Sequence, residues 1–168
     1  TPGGNNTATS PVAVSAASLA GTVFQDTDRA GANGGTPQAP EARLSGVAIR
    51  LTGTDAFGNP VDRSTVTAAD GSYVFAGLPP SDAAGYTVTE TQPAGFFNGP
   101  VAPPTNGGSA PSAGGTHAAG GVTGDSRYSG VVLATGTTAT QYNFPELRQV
   151  TLAGFVYIDA NANGQRDI

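Results

Sequence analysis

The chain has 168 residues, of which 25 are Gly and 13 are Pro, with 11% charged residues and a net charge of −5. Such an excess of turn formers argues against a helical bundle, and seven scattered Arg with no Lys make a poor nucleic-acid surface. No apolar run approaches the length that spans a bilayer, and the absence of Cys excludes disulfides, thiol nucleophiles and Cys-based zinc sites.

Residues 1–10 (TPGGNNTATS) are small, polar and turn-rich, as expected of a linker. The first strand is expected at 18–25 (SLAGTVFQ). Residues 43–52 (RLSGVAIRLT) alternate, with Val47, Ile49 and Leu51 on one face and Ala48 and Arg50 on the other, the period-two signature of a half-buried strand. A turn at 55–60 (DAFGNP) leads to a third strand at 61–68. Asp70-Gly71 is a tight-turn signal, followed by a strand at 72–75 that ends before Pro79-Pro80. In 86–91 (YTVTET), Tyr86, Val88 and Glu90 share a face and three Thr occupy the other. Residues 99–124 contain almost no large apolar side chain and are expected to form a long surface loop. Strand character returns at 128–133, 140–144 and 149–158. The expected fold is an all-β Greek-key sandwich of about seven strands.

Internal similarity adds a larger-scale expectation. Leu19-Ala20-Gly21-Thr22-Val23-Phe24-Gln25-Asp26 reappears as Leu152-Ala153-Gly154-Phe155-Val156-Tyr157-Ile158-Asp159. Residues 1–17 are accordingly read as linker or exchangeable strand, 18–148 as one module, and 149–168 as the start of the next. The chain opens on Thr1 and stops inside a motif, so it is read as a mature product or a piece of something longer.

The succession LAGTVFQD, RLSGVAIRLTG, TAADGSYVFAGLPP, YTVTETQPAGF and YNFPEL resembles the SdrD B-like repeats of bacterial surface proteins, related to collagen-adhesin B domains and transthyretin-like sandwiches. That resemblance implies an extracellular, cell-surface stalk or spacer whose partners are adjacent copies, joined head-to-tail or by strand exchange. It also implies a calcium loop. Asp159, Asn161, Asn163 and Asp167 place oxygen side chains at the first, third, fifth and ninth positions of a turn with Gly164 sixth, and Gln165 at the seventh can give its carbonyl, as a cation with six to eight oxygen ligands requires. The other reading of these residues is a polar turn. In the first module the corresponding candidates are Asp26, Asp28, Asn33 and, further on, Glu41, with self-capping of the loop by Asp as the alternative. Some relatives carry a Lys–Asn cross-link beside a Glu, and Glu90 lies on a suitable strand, but a chain without Lys cannot form it.

Enzymatic chemistry has little support. His117 is the only His and lies in the low-complexity stretch, no G-x-S-x-G elbow is present, and the Gly pairs lack the Lys and strand–helix context of a phosphate loop. Asp55, Asp62, Asp70, Asp82 and Asp125 are read as turn formers. The competing functional class is an adhesin domain that contacts a host or matrix molecule through residues 96–124, with Phe96 and Phe97 exposed beside the loop.

Overall fold

The computed structural model describes residues 15–27, 35–99, 116–120 and 124–165. Among these, the chain forms ten strands and no helix: β1 (Ala17–Gln25), β2 (Ala48–Thr54), β3 (Pro60–Val66), β4 (Ser72–Leu78), β5 (Tyr86–Glu90), β6 (Phe96–Asn98), β7 (Thr116–Gly120), β8 (Gly124–Val131), β9 (Thr138–Ala139) and β10 (Phe144–Arg148). They make two sheets. One has the order β4-β1-β10-β6, with β9 also paired to β1; the other runs β3-β2-β5-β8-β7. The chain crosses repeatedly between the sheets, so neighbours in space are distant in sequence. The all-β sandwich expected from the alternating pattern is therefore present.

The core forms where the inward faces meet. Leu19 and Val23 of β1, Ile49 and Leu51 of β2, Tyr73 and Phe75 of β4, and Tyr86 and Val88 of β5 are all buried. These are the faces that the period-two alternation selects. Strand β8 keeps Ser126, Tyr128 and Val131 inward although their spacing breaks the alternation. A register shift opposite Tyr86 and Val88 absorbs the extra residue. Gly130, at φ 71°, takes the left-handed conformation that such a bulge needs.

Aromatic side chains join the layers. The Tyr128 ring lies 5.2 Å from that of Tyr142 and 5.3 Å from that of Phe144, both edge-on. Their hydroxyls are not stranded: Tyr128 donates to the Asn143 carbonyl at 2.8 Å, and Tyr73 donates to the Tyr142 carbonyl at 2.6 Å. At the open side, Arg63 of β3 donates to the carbonyls of Ala76 and Gly77 on β4, tying one edge strand to the other across the sheets.

Several expectations are corrected. The all-β sandwich stands as expected, but among the described residues it has ten strands where about seven were expected, because β6, β7 and β9 are too short or too polar to show a period in sequence. Strand β7 falls inside the stretch 99–124 expected to be loop, where pairing with β8 supplies what composition does not. The strand expected at 140–144 is instead β10, starting at Phe144, because Gln141 has φ 70° and interrupts extended backbone. The strand expected at 149–158 does not form: Gln149 N–H donates to the Gly95 carbonyl at 2.9 Å, but beyond that the segment joins neither sheet as a ladder strand, and a strand outside a sheet leaves its backbone to water. The Asp70-Gly71 turn is real, with Gly71 N–H donating to the Ala68 carbonyl, but it carries the chain from one sheet to the other and closes no hairpin. Residues 1–14, most of the 99–124 stretch, Asp28, Asn33 and Asp167 lie outside the described residues.

Gly21 sits at the tightest point of the fold. A Cβ there would lie 1.9 Å from the Tyr142 carbonyl oxygen and 2.8 Å from the Tyr73 hydroxyl. Backbone cannot yield as a flexible side chain can. Gly21→Ala is expected to cost about 3 kcal/mol, seen as a lower urea midpoint with an unchanged denaturant slope; a midpoint within error of the parent chain would contradict the packing described.

Candidate functional site

Strand β1 runs into the first acidic loop. Asp26 follows directly and is buried, its backbone N–H donating to the Glu146 carbonyl at 2.8 Å. Glu41 reaches back to the same turn. Its two carboxylate oxygens accept from Thr27 N–H at 3.1 Å and Gln38 N–H at 2.8 Å. The fold thus brings Asp26 and Glu41 to one loop, with Glu41 spent on closing it. Asp28 and Asn33, the other two candidates there, are not among the described residues.

The second acidic loop is built on Asp159. One of its oxygens accepts from Asn163 N–H at 3.0 Å and the other from Gly164 N–H at 2.7 Å. Asn161 also caps Asn163 N–H, and the Asn163 side-chain oxygen accepts from Gln165 N–H at 2.8 Å. The Tyr157 hydroxyl closes the turn on the Gly164 carbonyl. The donors are all oxygens, which suits calcium, but Asp159 is the one carboxylate among the described residues of this loop, and both of its oxygens already serve the backbone. Among the described residues, no three His, Cys, Asp or Glu side chains come together as a metal site.

The remaining Asp residues divide. Asp55, Asp70 and Asp82 cap turns through the N–H groups of Phe57 and Asn59, of Ser72, and of Ala84 and Gly85. Asp62 does not: it makes a two-pronged ion pair with Arg50 across β2 and β3. Asp125 accepts from Gln92 N–H. Phe96 and Phe97 are half-buried in β6, which pairs with β10, and are not the exposed pair expected beside the loop. His117 lies in β7. An open cavity of about 650 Å³ has Thr65, Tyr73, Gln141 and Asn143 among its lining residues and no Asp, Glu or His.

The most unusual chemistry lies elsewhere, at one end of the sandwich. Glu90 of β5 and Glu146 of β10 are both fully buried, one from each sheet. Neither Glu90 oxygen makes a hydrogen bond of good geometry, and Glu146 has one such orphaned oxygen. The other Glu146 oxygen accepts from the Gln92 side-chain amide. Burial, then the neighbouring carboxylates of Glu146 and Asp125, push Glu90 up to about 8, with the Ser126 backbone N–H offsetting part of the rise. Burial pushes Glu146 up to about 7, against the Gln92 hydrogen bond. Isolated carboxylates do not survive in such surroundings, so the pair holds protons instead. Glu90 was legible as an inward residue from the alternation of YTVTE. Glu146 was not singled out, although Phe144 and Glu146 stand two residues apart on one strand and so share a face.

A raised carboxyl pKa means that the folded state holds its proton more tightly than the unfolded chain. The resulting stabilisation is complete below the unfolded value near 4.5 and is lost as pH rises through about 7 and about 8. Stability is expected to fall by an amount on the order of a few kcal/mol between pH 5 and pH 8.5, seen as thermal unfolding at lower temperature. Glu90→Gln, which is neutral at every pH, is expected to flatten that slope; an identical slope in parent and variant would refute the assignment.

The SdrD B-like domain model matches residues 17–114, from the first residue of β1 through β6 and beyond. No curated protein matches the chain. With β1, the alternating β2 and the β4–β5 blocks all inside that match, the chain belongs to the SdrD B-like domain family, whose members are non-catalytic modules of bacterial cell-surface proteins.

Proposed function

We propose that this chain is a load-bearing module of a tandem array on an extracellular surface or fibre, joined head-to-tail to further copies. The observation that carries the reading is the pairing of the first strand with the last. β1 and β10 are adjacent and parallel, with Val23 opposite Phe144, Phe24 opposite Pro145 and Gln25 opposite Glu146. In a parallel pair the start of one strand and the end of the other lie at opposite ends of the ladder. Tension applied through the two ends of the module therefore shears all of the bonds together and cannot peel them one at a time.

The repeated segment supports the head-to-tail arrangement. Leu152, Val156 and Tyr157 occupy the positions that Leu19, Val23 and Phe24 bury in β1, yet here they are exposed, as are Val150 and Ile158. Gly154 corresponds to Gly21, whose missing Cβ the fold requires, but nothing lies within 4 Å of where a Cβ on Gly154 would stand. A glycine with no local need, in a stretch with the apolar pattern of β1, fits a strand whose sheet partners belong to another module.

Pulling on single molecules tests the mechanical reading. A chain in which residues 19–151 recur in tandem is expected to unfold one module at a time, at forces severalfold above those needed when the same module is pulled across the β2–β3 hairpin. Equal forces in the two geometries would reject shear loading of β1 and β10.

The proposal includes calcium at the Asp159 loop, with Asn161, Asn163, Gln165 and Asp167 completing the donors, and a weaker site at Asp26, Asp28, Asn33 and Glu41. The support is the all-oxygen donor set and the clustering of Asp159, Asn161 and Asn163 oxygens around one turn. Calorimetric titration at millimolar calcium is expected to give saturable heat that Asp159→Ala removes; no heat in the parent chain would end the calcium reading.

A further inference from the structure

The buried carboxyls belong to a quartet. Glu90 and Ser126 are opposite each other on β5 and β8, and Glu146 and Asn98 are opposite each other on β10 and β6. Directly opposed residues on neighbouring strands share a face. Each sheet therefore presents a carboxyl group beside a second polar side chain, and the two pairs meet across the sandwich: the Ser126 hydroxyl donates to the Asn98 side-chain oxygen, linking β8 to β6. The Asn98 amide nitrogen donates to the Gly124 carbonyl at 2.7 Å, so the group is held at both ends. Ser126 is buried and Asn98 is half-buried.

The geometry points to an intramolecular ester between the Ser126 hydroxyl and the Asn98 side chain, formed with loss of ammonia and with Glu90 as proton carrier, which would tie the two sheets covalently. In the fraction of molecules whose Glu90 is ionised, the Ser126 hydroxyl turns from the Asn98 oxygen toward Glu90, which it faces across β5 and β8, and the Ser126 Oγ–Cγ bond to Asn98 forms as the hydroxyl proton passes to a Glu90 carboxylate oxygen. The Cγ–Nδ2 bond then breaks, and the nitrogen takes that proton back and leaves as ammonia. No oxidant or reductant is needed, and Glu90 ends as it began. A carboxyl group that titrates near neutrality can both accept and return a proton. The hydroxyl and the amide are already in hydrogen-bond contact, so no encounter has to be arranged. Because Asn98 is half-buried, ammonia has a way out, while burial of Ser126 shields the ester from water on the other side.

One competing reaction starts from the same residue. Asn98 precedes Gly99, and attack by the Gly99 nitrogen would also expel ammonia, giving a succinimide. That nitrogen is committed elsewhere: Gly99 N–H donates to the Pro145 carbonyl at 2.8 Å, and a Cβ on Gly99 would lie 2.7 Å from the same oxygen.

Intact-mass spectrometry of the folded 168-residue chain decides the matter. The expected mass is one ammonia below that of the sequence, and Ser126→Ala is expected to restore the full value. A succinimide would persist in Ser126→Ala, so an ammonia deficit in that variant overturns the ester, as does a folded parent chain at full mass. Trypsin cuts after Arg63 and Arg127 but not between them, so both residues fall in one peptide. Fragmentation of that peptide is expected to yield no backbone ions between Asn98 and Ser126 until hydroxylamine opens the ester. Glu90→Gln is expected to leave most of the chain at full mass while circular dichroism still shows a folded sandwich; a complete ammonia deficit in that variant would remove Glu90 from the proposed step.

Discussion

Strand β1 can occupy the middle of its sheet only because residue 21 has no side chain. The Tyr142 carbonyl passes where a Cβ would stand, and the Tyr73 hydroxyl donates to that same carbonyl. This close approach lets β1 pair with β4 on one side and with both β9 and β10 on the other. Seating β1 in turn buries Leu19, Val23 and Phe24 and fixes Asp26 at the mouth of the first acidic loop. The ring cluster of Tyr128, Tyr142 and Phe144 then packs beneath it. A module whose first and last strands are neighbours has its two ends mechanically coupled, which is the property a spacer under tension needs.

At one end of the core the packing logic changes. Two acidic side chains are buried where apolar ones would cost nothing, and one of them has no well-formed hydrogen bond. Such groups lower stability unless they stay protonated, and a sandwich gains nothing structural from them. Their neighbours give the arrangement chemical meaning: a hydroxyl and an amide in contact, one from each sheet, flanked by groups able to carry a proton. A covalent tie at this end would complement the parallel β1–β10 ladder by preventing the sheets from separating once that ladder gives way.

The acidic loops show how ambiguous a string of Asp and Asn is. Asp159, Asn161 and Asn163 do converge, but on backbone amides of their own turn, and Glu41 does the same for the loop that follows Asp26. The alternating oxygens that suit a cation are also those that cap successive N–H groups, because both tasks require side chains directed into the same concave turn.

Alternation alone identified the buried faces of β2, β4 and β5, because a period of two is a local property of extended backbone. The repeat of Leu19–Asp26 at Leu152–Asp159 was equally legible, and with it the family. Tertiary structure decided everything that depends on a partner. Residues 116–120 became a strand because β8 was there to pair with them, whereas 149–158, with the stronger pattern, did not, because β1 already fills the corresponding place. The meeting of Glu90, Ser126, Asn98 and Glu146 likewise could not be read from the chain. They lie on four strands in two sheets, and only the crossing of the chain between the sheets brings their side chains together.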